Sequence, residues 1–195
     1  PIPGQVEAHE FLRRQHADLR RSINPKRATP SRYIRAGQTV AAEGNNTTHY
    51  SVVDAAGNAV ANTYTINLVF GVGLDADGTG ILLNDELDDF AAKPGAPNAF
   101  GLTGGAANAP GPGKRPLSSM TPTIVLKDGK PYLVTGSPGG SRIITTTLQV
   151  ILNTIDYQMD MAAAVAAARI HHQWLPDEVN AEQAVPAEIV TGLQQ

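Results

Sequence analysis

Asn46-Thr47-Thr48-His49-Tyr50-Ser51-Val52-Val53-Asp54 is the stretch from which the fold is read. From Thr47 onward its residues are mostly β-branched or aromatic, as in a strand, and Asp54 leads into a turn containing Gly57-Asn58. Ala59 to Val69 continues in β-branched and aromatic residues, so the two runs predict a β-hairpin. Thr121 to Lys127, the Asp128-Gly129 pair that favours positive φ, and Pro131 to Thr135 predict a second. Between the hairpins, Lys93 to Lys114 is rich in Gly, Pro and Asn and is interrupted only by Phe100 and Leu102. A loop of that length inside a compact domain reads as a lid or a disordered segment. Beyond Gly139-Gly140, the spacing of Ile143, Ile144, Leu148, Ile151, Leu152 and Ile155 predicts a helix over Arg142 to Tyr157. Met159 to Arg169 predicts a second, alanine-rich helix. Hairpins followed by helices point to stacked sheet and helix layers of the α+β class.

Outward from this core the chain is plainer. Pro1 to Arg35 is polar and basic, with Phe11, Leu12 and Leu19 forming only a short apolar helix face. Arg13, Arg14, Arg20 and Arg21 on that segment read as a solvated surface. Pro25 and Pro30 break helix, and Ser31 to Asn46 reads as an extended linker. At the other end, Leu175 to Gln195 is polar with scattered apolar residues, and both termini are expected to be edges of a fragment. The 195 residues correspond to one domain with an appendage.

Composition narrows the chemistry. Fifteen basic against eighteen acidic residues give a formal charge of −3, which supplies no electrostatic footprint for nucleic acid. Without cysteine there is no disulfide framework, thiolate nucleophile or thiolate metal site. No apolar run approaches the roughly 20 residues of a transmembrane helix. His171 and His172 are adjacent and point in different directions, so no metal site is expected, and His49 reads as a packed or hydrogen-bonded strand residue. Ser137 and Ser141 do not sit in a G-x-S-x-G elbow. The run Gly136-Ser137-Pro138-Gly139-Gly140-Ser141 ahead of a helix has three readings: a phosphate cradle, an oxyanion hole, or a tight strand-to-helix turn. Thr47 has two. It is either an ordinary strand start or a nucleophile, in which case cleavage before it frees an α-amino group of pKa about 7.7–8.0 to act as its base.

The motifs taken in order settle these alternatives by resemblance. Asn46 to Asp54, then Gly57-Asn58-Ala59-Val60-Ala61 through Tyr64-Thr65-Ile66-Asn67, resembles the self-cleavage site and first hairpin of the gamma-glutamyltranspeptidases. Gly80-Ile81-Leu82-Leu83-Asn84 leading to Asp88-Asp89-Phe90 comes next, then Lys114-Arg115-Pro116-Leu117-Ser118-Ser119-Met120 and Thr135 to Ile143. His171-His172-Gln173-Trp174-Leu175-Pro176 closes the series, which spans about Pro25 to Val179. The resemblance implies an N-terminal-nucleophile hydrolase: an αββα sandwich of two stacked, mainly antiparallel sheets between helix layers, here in part. Residues 1–46 would be the end of a large subunit with its pre-cleavage linker, and 47–195 a small, catalytic subunit truncated at its C-terminus.

The resemblance also assigns roles. Thr47 would attack the Asn46 carbonyl, cut the chain, and then attack the γ-glutamyl amide of glutathione or another γ-glutamyl compound, with water or an amino-acid or peptide amine resolving the acyl-enzyme. Thr65 resembles the hydroxyl that orients Thr47, and Gly139 and Gly140 resemble the oxyanion hole. Asn67, Glu86 and Asp89 match the acceptors for the substrate α-ammonium, and Ser118 and Ser119 the donors to its α-carboxylate. No metal or other cofactor is expected. The family's large-subunit arginine on that carboxylate matches no residue here, so weak or no turnover is expected from these residues alone. Phe100 stands where many bacterial members carry a lid tyrosine, and it lacks the hydroxyl. Glu86 occupies a position held by glutamine or glutamate. The large subunit is the implied partner and a periplasmic or secreted location the implied compartment. The alternatives are a glutaryl-type cephalosporin acylase of the same fold, which Asp89 disfavours because a glutaryl group has no amine, and an inactive structural or binding fragment.

Overall fold

The structure is a computed structural model that describes residues 17, 20, 21, 23, 24, 26, 27, 47–96, 103–174 and 177–193. Asn46, Phe100, the Ser31 to Asn46 linker and the Leu175-Pro176 pair lie outside the described residues. The chain divides into two compact units, Pro1–Ala36 and Gly37–Gln195, and among the described residues every strand belongs to the second.

The first hairpin of that second unit pairs β1 (Thr48–Val53) with β2 (Ala59–Tyr64), antiparallel, with Thr48 opposite Tyr64 and Val53 opposite Ala59. Asp54 builds the turn. Its Oδ1 accepts the N–H groups of Ala56 and Asn58 at 2.9 and 2.8 Å, its Oδ2 accepts Asn58 Nδ2 at 2.7 Å, and Gly57 takes the positive φ of 84°. The bonds from Asn58 hold the Asp54 carboxyl below its usual range. The expected strand to Val69 ends earlier, at Tyr64. Asn67 adopts φ 67° and donates its N–H back to Thr65 Oγ1 at 2.9 Å, a left-handed turn that a continuing strand excludes. A short pair, β3 (Asp75–Ala76) and β4 (Ile81–Leu82), comes next, where the sequence predicts no strand.

The second hairpin pairs β5 (Thr123–Lys127) with β6 (Lys130–Thr135). Asp128 and Gly129 both have positive φ, 53° and 75°, as a two-residue turn matching the strand twist requires. The register shifts between Val125 and Leu126, where Leu126 faces Pro131, a residue with no N–H to give the ladder. Strands β1 and β2 both meet β6, β2 also meets β5, and Ser51 Oγ donates to the Val134 carbonyl at 3.2 Å. Through the two-residue alternation of a strand, His49 and Ser51 share the face turned to β6.

Helix α1 (Arg142–Ile155) forms where the apolar spacing predicts it, but it buries Ile143, Thr147 and Val150, an i, i+4, i+7 stripe that shares only Ile143 with the positions read from the sequence; Ile144, Leu148, Leu152 and Ile155 are exposed. Helix α2 (Met161–Ala166) is shorter than the expected Met159 to Arg169. Gln158 takes φ 54°, Asp160 caps the helix by accepting the Ala163 N–H at 2.8 Å, and extended backbone at Ala167 ends it. The chain then forms β7 (Ile170–His171), which pairs with β8 (Asn180–Ala181), and α3 (Ala187–Leu193). Among the described residues, Phe90, Ala91, Leu133, Ile143, Val150 and Ala164 are the buried apolar ones. Antiparallel ladders with helices packed beside them are the α+β class expected from the sequence.

Candidate active site

Thr47 stands one residue before β1, and the β1–β2 register carried one step further sets it opposite Thr65. Thr65 Oγ1 accepts the Asn67 N–H, which occupies a lone pair and leaves the hydroxyl hydrogen for another acceptor. Odd-numbered residues of β1 face β6, so Thr47 is on the same face as His49. His49 is held by Thr63 Oγ1 at 2.9 Å and Ser51 Oγ at 3.0 Å, as a hydrogen-bonded strand histidine. Burial moves its pKa down, toward the neutral ring.

The end of β2 is tied to an acidic turn. Asp85 donates its N–H to the Ile66 carbonyl at 3.3 Å, accepts the Leu68 N–H on Oδ1 at 3.0 Å, and accepts Asn67 Nδ2 on its carbonyl at 3.4 Å. The Asn67 side chain is thereby buried beside the 3-10 turn Glu86–Asp89, whose first N–H is capped by Asn84 Oδ1 at 3.0 Å. Glu86 and Asp89 lie side by side, partly withdrawn from water. Burial first, then the hydrogen bond and charge of Asp89, push the Glu86 carboxyl up to about 7, and burial raises Asp89 as well. The buried Glu86 Oε1 has no hydrogen-bond partner, and neither has Asp88 Oδ2. Two crowded carboxyls with an unsatisfied oxygen favour a cation that brings N–H donors.

Ser118 is exposed and Ser119 half-buried, on an irregular segment; Ser118 Oγ accepts the Met120 N–H at 3.2 Å. Gly139 and Gly140 have φ values of 127° and 56° in the turn from β6 to α1. Their carbonyls accept the N–H groups of Arg142 and Ile143, each at 3.1 Å, so within this turn the glycines act as acceptors and their own N–H groups stay outside its hydrogen bonds. The β1–β2 ladder thus ends with Thr47 and Thr65 as the next residues of the two strands, and Asp85 joins Asn67 to the Glu86–Asp89 turn. Gly139 and Gly140 begin three residues beyond Gly136, which abuts His49.

A network around His171 escaped sequence reasoning. His171 is 7% exposed, with Nδ1 2.8 Å from Thr145 Oγ1 and Nε2 2.8 Å from Gln173 Oε1, which also accepts from Ser141 Oγ at 2.7 Å. The two-residue spacing of His171 and Gln173 was its only sequence signal. His172 instead approaches Asp177 at 3.4 Å. Among the described residues no cluster of three or more His, Asp or Glu could hold a metal ion, and no helix is long and apolar enough to cross a membrane.

Solved structures give the class first. A crystal structure of a Helicobacter pylori gamma-glutamyltranspeptidase variant has a TM-score of 0.72 and 59% identity, covering 75% of this chain and 80% of that one. An acivicin-inhibited gamma-glutamyltranspeptidase has a TM-score of 0.72 and 60% identity, covering 75% and 79%. The fold is therefore that of the N-terminal-nucleophile hydrolases. The gamma-glutamyltranspeptidase family model matches residues 5–195, and the chain belongs to that family. The Escherichia coli K12 glutathione hydrolase proenzyme is 58% identical over 182 residues, 93% of this chain. The chain spans 31% of that relative's length.

Proposed function

We propose that residues 1–46 are the end of a large subunit and 47–195 most of a small one, in a self-cleaving γ-glutamyltransferase and glutathione hydrolase. The hydroxyl of Thr47 attacks the Asn46 carbonyl carbon, the Asn46–Thr47 C–N bond breaks with proton transfer to the departing amine, and water hydrolyses the resulting ester. Thr47 then carries a free α-amino group. That amine takes the hydroxyl proton as Thr47 attacks a γ-glutamyl amide and delivers it to the leaving amine, and water or an acceptor amine releases the glutamyl group. Thr65 donates to Thr47, and the N–H groups of Gly139 and Gly140 receive the oxyanion. Asn67, Glu86 and Asp89 accept from the substrate ammonium, and Ser118 and Ser119 donate to its carboxylate. Glutathione and other γ-glutamyl compounds are the donors, amino acids or peptides the acceptors, and the compartment is periplasmic or secreted.

The β1–β2 register, which ends with Thr48 opposite Tyr64 and so leaves Thr47 and Thr65 next in line, is the observation that supports this reading. The relative named a glutathione hydrolase proenzyme supports the activity and its maturation, and the acivicin-inhibited structure, whose name couples autoprocessing with catalysis, supports both. In the full-length protein, mass spectrometry should find scission between Asn46 and Thr47. Thr47→Ala should remain uncut and fail to turn over a γ-glutamyl anilide. An uncut chain with full activity overturns the mechanism, and faster turnover of a glutaryl anilide overturns the substrate class.

A further inference from the structure

The two halves of the proposed glutamyl pocket come from separate stretches, the Glu86–Asp89 turn and Ser118-Ser119, and one side chain spans them. Asn108 is half-buried at the end of the 3-10 turn Ala106–Asn108. Its Nδ2 donates to the Asp89 carbonyl at 2.7 Å, and its Oδ1 accepts the N–H of Leu117, the residue before Ser118, at 3.0 Å. Its own carbonyl accepts the Ala91 N–H at 2.9 Å. The turn bearing Asn108 is itself anchored. Lys114 Nζ donates to the carbonyls of Ala107 and Ala109, the residues on either side, at 3.2 and 3.0 Å. Gly104 packs so closely on Ala91 that a Cβ there would lie 2.6 Å from the Ala91 Cβ.

A planar carboxamide suits this bridge because it offers a donor and an acceptor on the same carbon. Aspartate would keep the acceptor for Leu117 and lose the donor to Asp89. Alanine would leave the Asp89 carbonyl and the Leu117 N–H both unpaired. Neither bond involves a group that the proposed mechanism places on the substrate.

We propose that Asn108 is a positioning residue that fixes the distance between the ammonium-accepting and carboxylate-donating sides of the pocket, and so selects donors that carry an α-amino acid. This rests on the roles proposed for Asp89 and Ser118. Bound substrate is gripped at both ends by backbone that Asn108 clamps, so loosening the clamp weakens binding of the glutamyl end in ground and transition state alike.

The test uses the full-length protein and the variants Asn108→Ala, Asn108→Asp, Asp89→Asn and Ser118→Ala, with Asn108→Ala also combined with each of the last two. Asn108→Ala should raise KM for a γ-glutamyl anilide about tenfold with kcat changed less than about threefold, while self-cleavage stays near that of the parent and the melting temperature falls with the loss of the two bonds. In combination with Asp89→Asn the KM effects should be less than multiplicative, because Asn108 acts through Asp89. Asn108→Asp should fall between alanine and the parent. Multiplicative effects, or an unchanged KM in Asn108→Ala while Asp89→Asn and Ser118→Ala raise it, overturn the role of Asn108 alone. Unchanged KM in Asp89→Asn and Ser118→Ala overturns the pocket assignment and the clamp with it. If Asn108→Ala fails to fold, the aspartate variant decides, and an unchanged KM in it overturns the clamp.

Discussion

The imidazole of His49 lies directly against Gly136, so that a Cβ on Gly136 would fall on the ring. Gly136 is at the end of β6, and His49 is two residues along β1 from Thr47, on the same face. The contact limits how closely β1 seats on the second hairpin. Gly136 does not occupy the left-handed region, so alanine there is opposed by space and not by backbone conformation. Gly136→Ala should displace His49, lower stability by about 1–3 kcal/mol and slow self-cleavage in the full-length protein. Denaturant melts and the time course of subunit appearance on gels check this. Adding His49→Ala to Gly136→Ala should restore part of the loss, and absence of rescue would mean that the contact does not seat the strand.

Much of this arrangement was legible in the sequence because local chemistry dictates it. Asp128-Gly129 could close only a tight hairpin, and the apolar spacing from Ile143 to Ile155 gave the helix, though not its buried face, since Thr147 and Val150 are buried while Ile144, Leu148, Leu152 and Ile155 are exposed. The early end of β2 was not legible. Asn67 is a poor strand residue, yet what turns the chain there is a bond to Thr65 Oγ1 together with three bonds to Asp85, and sequence does not disclose partners eighteen residues away. The same holds for His171, whose partners Thr145 and Gln173 come from α1 and from beyond β7. Thr47, Gly139 and Gly140 were ambiguous as residues, and only motif order gave them roles.

Glu86 predicts the pH dependence of substrate binding. Its carboxyl, raised to about 7, is largely protonated below that pH, while an α-ammonium ligand favours the ionised form. The KM for a γ-glutamyl donor should therefore fall as pH rises through about 7. Glu86→Gln should flatten that limb. A free α-amino group, such as the one that the proposed cleavage gives Thr47, ordinarily titrates at about 7.7–8.0, so the inhibition constant of L-glutamate, which needs no nucleophile, is the cleaner measurement. Linkage gives the opposite sign for stability. A carboxyl whose folded pKa exceeds its unfolded value of 4.5 confers stability fully below 4.5, and loses it as pH rises toward 7. Melting temperature should drop over that interval, and less so in Glu86→Gln.

Gln173 should influence rate more than binding. Its Oε1 receives Ser141 Oγ and contacts His171 Nε2, and Ser141 directly follows the Gly139-Gly140 turn. Ser141 makes no side-chain cap on α1, so its hydroxyl is committed to Gln173. Gln173→Leu leaves the hydroxyl and the imidazole, both buried, without that acceptor, at a cost of about 1–3 kcal/mol. If the turn supplies the oxyanion donors, kcat should fall about tenfold or more with KM little changed, since those donors act on charge that develops in the transition state. A rise in KM alone in steady-state assays would place the network on the substrate side.

Gly139 provides the complement to Gly136. A Cβ on Gly139 would meet nothing closer than Arg142 Cβ at 3.8 Å, an ordinary contact, so space is available. Its φ of 127° is what a side chain opposes. Gly139→Ala must either hold a conformation that costs on the order of 1–3 kcal/mol or let the turn relax and re-aim its N–H groups. The first outcome lowers stability and spares kcat, whereas the second spares stability and lowers kcat. The turn connects β6 to the N-terminus of α1, with Ile143 fully buried a few residues on, so the chain on both sides is fixed and the residues between have room to rotate. Relaxation is therefore the expected outcome: kcat reduced about 100-fold or more, with a melting temperature within a few degrees of the parent. Paired kcat and thermal-melt measurements on the self-cleaved protein decide between the two, and a destabilised variant with parental kcat would remove Gly139 from the oxyanion hole.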